Sequence, residues 1–395
     1  MKSSIKESKE KIENILESKN ISIDIFEEDE DEWAFSFPRE NESYYIDEEE
    51  IIFFSKELQF LEFNKVYSRT KNVIQFPFLI TDSLDLLFEK LNFKLENNDY
   101  KIVIKEKPIL IGIANVALDL YSKYAPPLTT YNCIEITNKS NNELLIDDAH
   151  KLVASFILEF NQATNMVIEL SELHDFDADY YGYEEDEDDD DIENTSNSIE
   201  ISELINYNEA IDFYLKAQST IDNEIKFLYY YKIIEFFSPK VAKLKAYDVL
   251  SKKLETIKYK SAKSEDLDSI IEIAEAFRKS KSDNELAKTV LSSGIDIISL
   301  FTFLPTDIQK LIGKNCSVNI NTIDYNLSLD KIDSILNILG KILYSTRNSI
   351  VHAKSNYSSD SYECKTSNLE QLNIFLSKAT YQIFKWNDNL PKNLK

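Results

Sequence analysis

Glycine and proline are scarce in this chain, with five Gly and eight Pro among 395 residues. Glycine supplies the positive-φ turns and close backbone approaches that phosphate-cradling loops depend on. So small a stock disfavours Gly-rich phosphate loops and turn-dense all-β architectures. Cysteine is rarer still. Cys133, Cys316 and Cys364 lie far apart and form no CxxC pair, which points away from a disulfide framework and from a zinc site. Long apolar runs are also missing, because the longest, Ile109 to Leu120, is well short of the roughly 20 residues that span a bilayer. The N-terminal MKSSIKESKEKIENILES is charged and lacks the apolar centre of a secretory signal. The expectation is a soluble protein of a reducing compartment, the cytoplasm, with no membrane partner, no metal and no other cofactor.

What is present allows real cores. Apolar residues make up 43% of the chain and aromatic residues 12%, so the chain is not disordered overall, and its length suggests two or three domains. The net charge of −26 hides an asymmetry. Residues 1–200 carry about −28 and residues 201–395 about +2. A near-neutral C-terminal half can bind nucleic acid locally, whereas an average of −26 would argue against it.

Residues 2–18 predict a short amphipathic helix with Ile5, Ile12, Ile15 and Leu16 on one side. Patches rich in Ile, Phe and Tyr then predict strands at Ile21–Phe26, Trp33–Phe37, Tyr44–Ile46, Ile51–Phe54 and Ile102–Ile104. Helices are expected at Ile109–Tyr124 and Asp147–Leu173, with Pro126-Pro127 between them. This gives an α+β domain over residues 1–171 that names no chemistry. Residues 172–193 hold thirteen carboxylates, including the unbroken run Glu184 to Asp191. Charge this dense cannot be buried and predicts a solvated linker over 172–199. Mimicry of RNA phosphate within a basic groove is a sharper alternative. A cation site is another, although the run lacks the alternation of a calcium loop.

From about residue 200 the pattern becomes helical: Ile201–Ser219, then Asp222–Phe237 ended by Pro239. Phe227-Leu228-Tyr229-Tyr230-Tyr231-Lys232-Ile233-Ile234-Glu235-Phe236-Phe237 is apolar nearly all round, the mark of a central bundle helix. Glu235 is its one carboxylate, either reaching the helix end or orienting a functional cation. Residues 240–263 hold eight lysines, among them Lys252, Lys253, Lys258 and Lys260, against only Asp248 and Glu255. Most such faces are merely solvated, but a basic cluster is where phosphate binding begins. Further helices are expected at Asp266–Lys279, at Glu285–Phe303 ahead of Pro305, from Leu329 towards Val351, and at Asn368–Trp386, with a loop through Asn315–Asn326.

Arginine and histidine are both rare, with four Arg and three His. One of each falls in Lys341-Ile342-Leu343-Tyr344-Ser345-Thr346-Arg347-Asn348-Ser349-Ile350-Val351-His352-Ala353-Lys354. A guanidinium is a planar, permanently charged fork that a lysine does not replace. At about 100° per residue, Arg347 and His352 lie roughly 140° apart on a helix, while Asn348 and His352 share a face. Fraying near Val351 would swing His352 towards Arg347. The pair suits RNA cleavage through the ribose 2′-OH. An imidazole moves the proton near neutral pH, and a guanidinium braces the charge on a five-coordinate phosphate.

This RNSIVHAK segment after an apolar helix, with FLYYYKIIEFF about a hundred residues upstream, resembles the HEPN superfamily. Its signature is Arg, a polar residue that is often Asn, then three to five further residues and His. Arg347, Asn348 and His352 match it, and the resemblance covers about residues 200–390. The resemblance implies an all-α bundle that dimerises and brings two motifs into one composite, metal-independent endoribonuclease site, with roles in anti-phage defence or toxin–antitoxin systems. It implies His352 as general acid/base, Arg347 on the phosphate and Asn348 as a polar orienter. Lys354 is a weaker candidate for the RNA backbone. The N-terminal domain would sense a regulatory protein or a phage-derived trigger. The rival expectation is a non-catalytic bundle that dimerises or docks a partner, with the Arg–His pair structural.

Overall fold

The structure, a computed structural model, describes residues 2–29, 32–79, 91–140, 143–174, 197–201, 203–258, 268–272, 283–352, 361–391 and 394. Two compact units emerge, Met1–Leu204 and Ile205–Lys395. The first contains sheets and the second is predominantly helical.

In the first unit α1 (Lys2–Ser18) packs against α2 (Glu48–Glu57), alongside an antiparallel sheet of β1 (Asp24–Asp29), β2 (Glu32–Ser36) and β3 (Tyr44–Ile46). Ile5, Ile12, Leu16, Phe35, Ile51 and Phe54 share one core. The larger sheet is built from β4 (Glu62–Phe63), β5 (Ser68–Arg69), β6 (Val73–Phe78), β7 (Leu91–Glu96), β8 (Tyr100–Lys105), β9 (Asn132–Asn138) and β10 (Asn197–Ile201). Its order is β10-β7-β8-β9-β6-β5-β4, antiparallel except where β10 pairs with β7. Neighbouring residues of a strand point to opposite faces. On β6, Gln75 Oε1 accepts from Ile111 N of α3 (Ile109–Leu118), while the Phe76 ring lies 4.7 Å from His150 of α4 (Ile146–Thr164). The two helices therefore cover opposite faces, and every residue of β6 is buried. Phe156 and Phe160 of α4 meet Phe93 of β7 edge-on.

Several expectations change here. Ile51–Phe54 is helical rather than extended, because Asp47 and Glu50 form a capping box and Glu48, Glu49 and Glu50 sit in the first turn. The two later helices stop early, at Leu118 and Thr164, where Asp119 and Asn165 take left-handed φ values of 56° and 59°. Strands β4, β5, β6, β7, β9 and β10 are additional. Residues 197–201 form β10 instead of linker and helix start, so the first unit reaches Leu204, beyond the expected boundary at 171. The acidic run Glu184–Asp191 lies outside the described residues.

The second unit contains α5 (Ala210–Ser219), α6 (Asn223–Lys258), α7 (Asp283–Gly294), α8 (Ile297–Leu300), α9 (Thr306–Cys316), α10 (Leu329–His352) and α11 (Leu369–Asp388). Helix α6 packs against α5, α7, α10 and α11. Phe227, Tyr230, Tyr231, Ile234, Phe237 and Val241 line its buried side, at the 3–4 spacing of one helix face. Tyr214, Tyr230, Phe237 and Phe384 make successive edge-on ring contacts. At Gly294 a Cβ would stand 2.8 Å from Ile383 Cγ1, so α7 and α11 pack too closely there for any other residue without a shift. The predicted Glu285–Phe303 helix breaks after Gly294, and Asp296 caps a fresh turn by accepting from Ile298 N and Ser299 N. Helix α9, absent from the expectation, begins directly after Pro305, a residue favoured near helix starts. Of the expected Asp266–Lys279 helix, only 268–272 lie among the described residues, and they are helical.

The largest correction concerns Pro239, which lies inside α6 rather than ending it. Proline removes the N–H that would bond the carbonyl four residues back, that of Glu235. Ser238 Oγ donates to that same carbonyl at 2.9 Å. The orphaned acceptor is thus satisfied and the helix runs on to Lys258. Ser238→Ala should lower stability by about 1 kcal/mol, a few degrees in Tm, as read by thermal unfolding. An unchanged Tm would mean that water replaces the hydroxyl.

Candidate active site at the end of α10

Helix α10 buries Ile335, Leu336, Leu339, Ile342, Leu343 and Thr346, and beyond Thr346 it leaves the core. Arg347, Asn348, Ser349 and Ile350 are half-buried, and Val351 and His352 are exposed. The transition is held by Thr346. Its hydroxyl donates to Ile342 O at 2.7 Å and accepts from Cys364 N at 2.9 Å. Ser349 Oγ donates to Glu363 Oε1, so residues 363 and 364 are tied to the turn that carries the motif. Lys341 completes this corner, its Nζ 5.6 Å from the Tyr362 ring.

Among the described residues Arg347 makes two polar contacts. Nη1 donates to Asn348 Oδ1 at 3.1 Å, and Nη2 lies 3.9 Å from Glu235 Oε1 on α6. The Arg347 and Glu235 side chains are 31% and 47% exposed, so their attraction is solvent-screened and contributes little to stability. It sets Glu235 beside the guanidinium. Glu235 thus falls on the guanidinium, in the helix interior and not at a helix end.

His352 remains helical, without fraying at Val351. Along α10 it is about 7.5 Å beyond Arg347 and roughly 140° around the axis. One chain therefore brings Arg347, Asn348 and Glu235 together and presents His352 on another side, over the turn that holds Asn348 and Ser349.

The lysine candidates stand apart. Lys252 bonds Asp248 at 2.7 Å, one turn back on α6. It is about 26 Å along the helix from Glu235, so Lys252 and Lys253 are out of reach of a phosphate held by Arg347. Lys258 closes the described part of α6, while Lys260 and Lys354 lie outside the described residues. Sequence reasoning missed Ser349 and Glu363. Ser349 was visible inside the motif, but no periodic signal marks Glu363, which lies outside any helix or strand. Its Oε2 is buried without a hydrogen-bond partner among the described residues. Cys364 offers no thiolate nucleophile. Burial, with Asp307 and Glu363 adding to it, pushes its thiol up to about 12.

Packing and chemistry can be separated by substitution. Thr346→Val should cost about 1–2 kcal/mol, because it leaves the buried Cys364 N–H unpaired. Arg347→Ala and His352→Ala should stay within about 0.5 kcal/mol of the parent, since both side chains reach solvent. Urea unfolding checks all three, and a large loss for Arg347→Ala would make the arginine structural.

Comparison with protein-family models, with curated proteins and with solved structures finds no match.

Proposed function

We propose that the chain is a metal-independent endoribonuclease of HEPN type. The observation that carries this reading is the Arg347–Asn348–His352 motif on the last turns of α10, with Glu235 of α6 set against the guanidinium. In this mechanism His352 takes the proton from a ribose 2′-OH, or delivers one to the leaving 5′-oxygen. The 2′-oxygen forms a bond to phosphorus and the bond from phosphorus to the 5′-oxygen breaks, leaving a 2′,3′-cyclic phosphate and a 5′-hydroxyl. Arg347 binds the phosphate oxygens as negative charge accumulates on them. Asn348 and Glu235 hold the guanidinium plane.

The divergence of Arg347 and His352 on one helix favours a composite site. Two α10 ends related by a two-fold axis would place the arginine of one copy beside the histidine of the other. The N-terminal unit then senses a regulatory protein or a phage-derived trigger, in anti-phage defence or a toxin–antitoxin system. That role rests on the two-unit architecture. A second reading, a non-catalytic dimerisation or docking bundle, is favoured by the contacts Arg347 already makes within its own chain.

Cleavage of total RNA and of tRNA by the purified full chain in EDTA decides between them. The enzyme reading expects products ending in 2′,3′-cyclic phosphate, with activity reduced about 10²- to 10⁴-fold in His352→Ala. A comparable loss is expected in Arg347→Ala, at unchanged Tm. Absence of cleavage by the full chain and by residues 205–395 alike would favour the docking reading.

A further inference from the structure

The exposed side of α6 carries a pattern that the proposed catalysis does not use. Tyr229, Lys232, Phe236, Lys243 and Tyr247 alternate ring and ammonium along one stripe. At about 100° per residue all five fall within an arc of about 60°, and the stripe is about 27 Å long. Lys232 is exposed, with its Nζ 5.3 Å from the Tyr229 ring and 5.7 Å from the Phe213 ring of α5. Lys243 Nζ lies 5.5 Å from the Tyr247 ring. Phe236 is 39% exposed and Tyr247 47%, on a helix whose other side is packed with aromatic residues. Lys240 shares the stripe but donates to Asn387.

Charge selects the partner. The chain has 70 acidic residues, yet between Tyr229 and Tyr247 the sequence holds a single carboxylate, Glu235, which faces Arg347. Among the described residues, Lys232 and Lys243 rest on rings and not on carboxylates. Rings interleaved with free cations fit a polyanion that carries exposed flat bases. A duplex hides those faces within its stack, so an unpaired strand is the better match. The stripe also begins at the right place, because Lys232 is one helical turn from Glu235 and hence from Arg347.

We propose that this face of α6 is a track for single-stranded RNA. Bases stack on Tyr229, Phe236 and Tyr247, and phosphates meet Lys232 and Lys243. The proposal rests on the ribonuclease reading of the adjacent site and deepens it: the substrate enters α10 as an unpaired strand.

The test uses the full chain carrying His352→Ala, so that bound RNA is not cut, and a fluorescein-labelled unpaired RNA of about 12 nucleotides. Fluorescence anisotropy should show salt-dependent binding of the single strand, and at least tenfold weaker binding of the same sequence as a duplex. Phe236→Ala and Tyr247→Ala should each weaken the single strand roughly tenfold. Lys243→Gln should reduce the salt slope by about 0.7. Matched Tm values are expected for these exposed positions, and Tyr247→Ala, which is far from the motif, remains informative if Phe236→Ala unfolds. No binding, equal binding of duplex, or unchanged affinity in the ring variants would overturn the track. So would a loss of self-association in sedimentation with RNA affinity intact, since the face would then belong to a second copy. Cleavage by the parent chain, measured alongside, separates the two readings. Cleavage with ring-independent affinity removes the track alone, whereas ring-dependent binding without any cleavage removes the nuclease alone.

Discussion

The hydroxyl of Thr346 fixes where α10 leaves the core. It is 1% exposed, bonds its own helix through Ile342 O, and receives the backbone of Cys364. Residues before it are held by apolar packing. Those after it are free to carry polar chemistry, and the first of them is Arg347. A buried residue that satisfies two backbone groups at once defines a sharp edge between core and surface. Ser349 and Glu363 extend the same clasp by one turn. The position of the motif is thus set by a hydrogen-bonded corner, while its side chains contribute little to holding the fold.

Helix α6 is the second constraint, and its continuity depends on a compensation. Pro239 would divide it, and Ser238 repairs the acceptor that Pro239 orphans. Because the helix runs unbroken from Asn223 to Lys258, one rigid element presents Glu235 to Arg347 and an aromatic–lysine stripe to solvent. Its buried side is aromatic as well. Apolar content alone therefore does not separate the two sides, and only the lysines and Glu235 mark the outward one.

Much of this was legible in the sequence, and the failures have physical causes. Helix α10 was readable because its apolar residues recur at helical spacing and stop at a polar motif. The rarity of Arg and His drew attention to Arg347 and His352, and the lone carboxylate in an apolar run drew attention to Glu235. The central strand β6 was not readable. Both its faces are covered, so Val-Ile-Gln-Phe-Pro-Phe shows no alternation. Its Pro77 reads as a breaker, yet β5 pairs only as far as Gln75, so no second strand needs that N–H. Helix α2 reads as a strand from the β-propensity of Ile51–Phe54, whereas the capping box of Asp47 and Glu50 starts a helix there. The Thr346–Cys364 and Ser349–Glu363 contacts join residues 18 and 14 positions apart, a kind of pairing for which local pattern carries no signal.

The acidic segment belongs to this contrast. By composition it is the natural place to divide the chain. Its two flanks nevertheless meet the same sheet. Leu170 bridges Phe78, and Ser171 N donates to Pro77 O, both on β6. On the other flank Asn197–Ile201 pairs in parallel with β7. Both flanks of the run therefore belong to the first unit. The chain passes to the second unit after β10, which ends at Ile201, because that unit begins at Ile205.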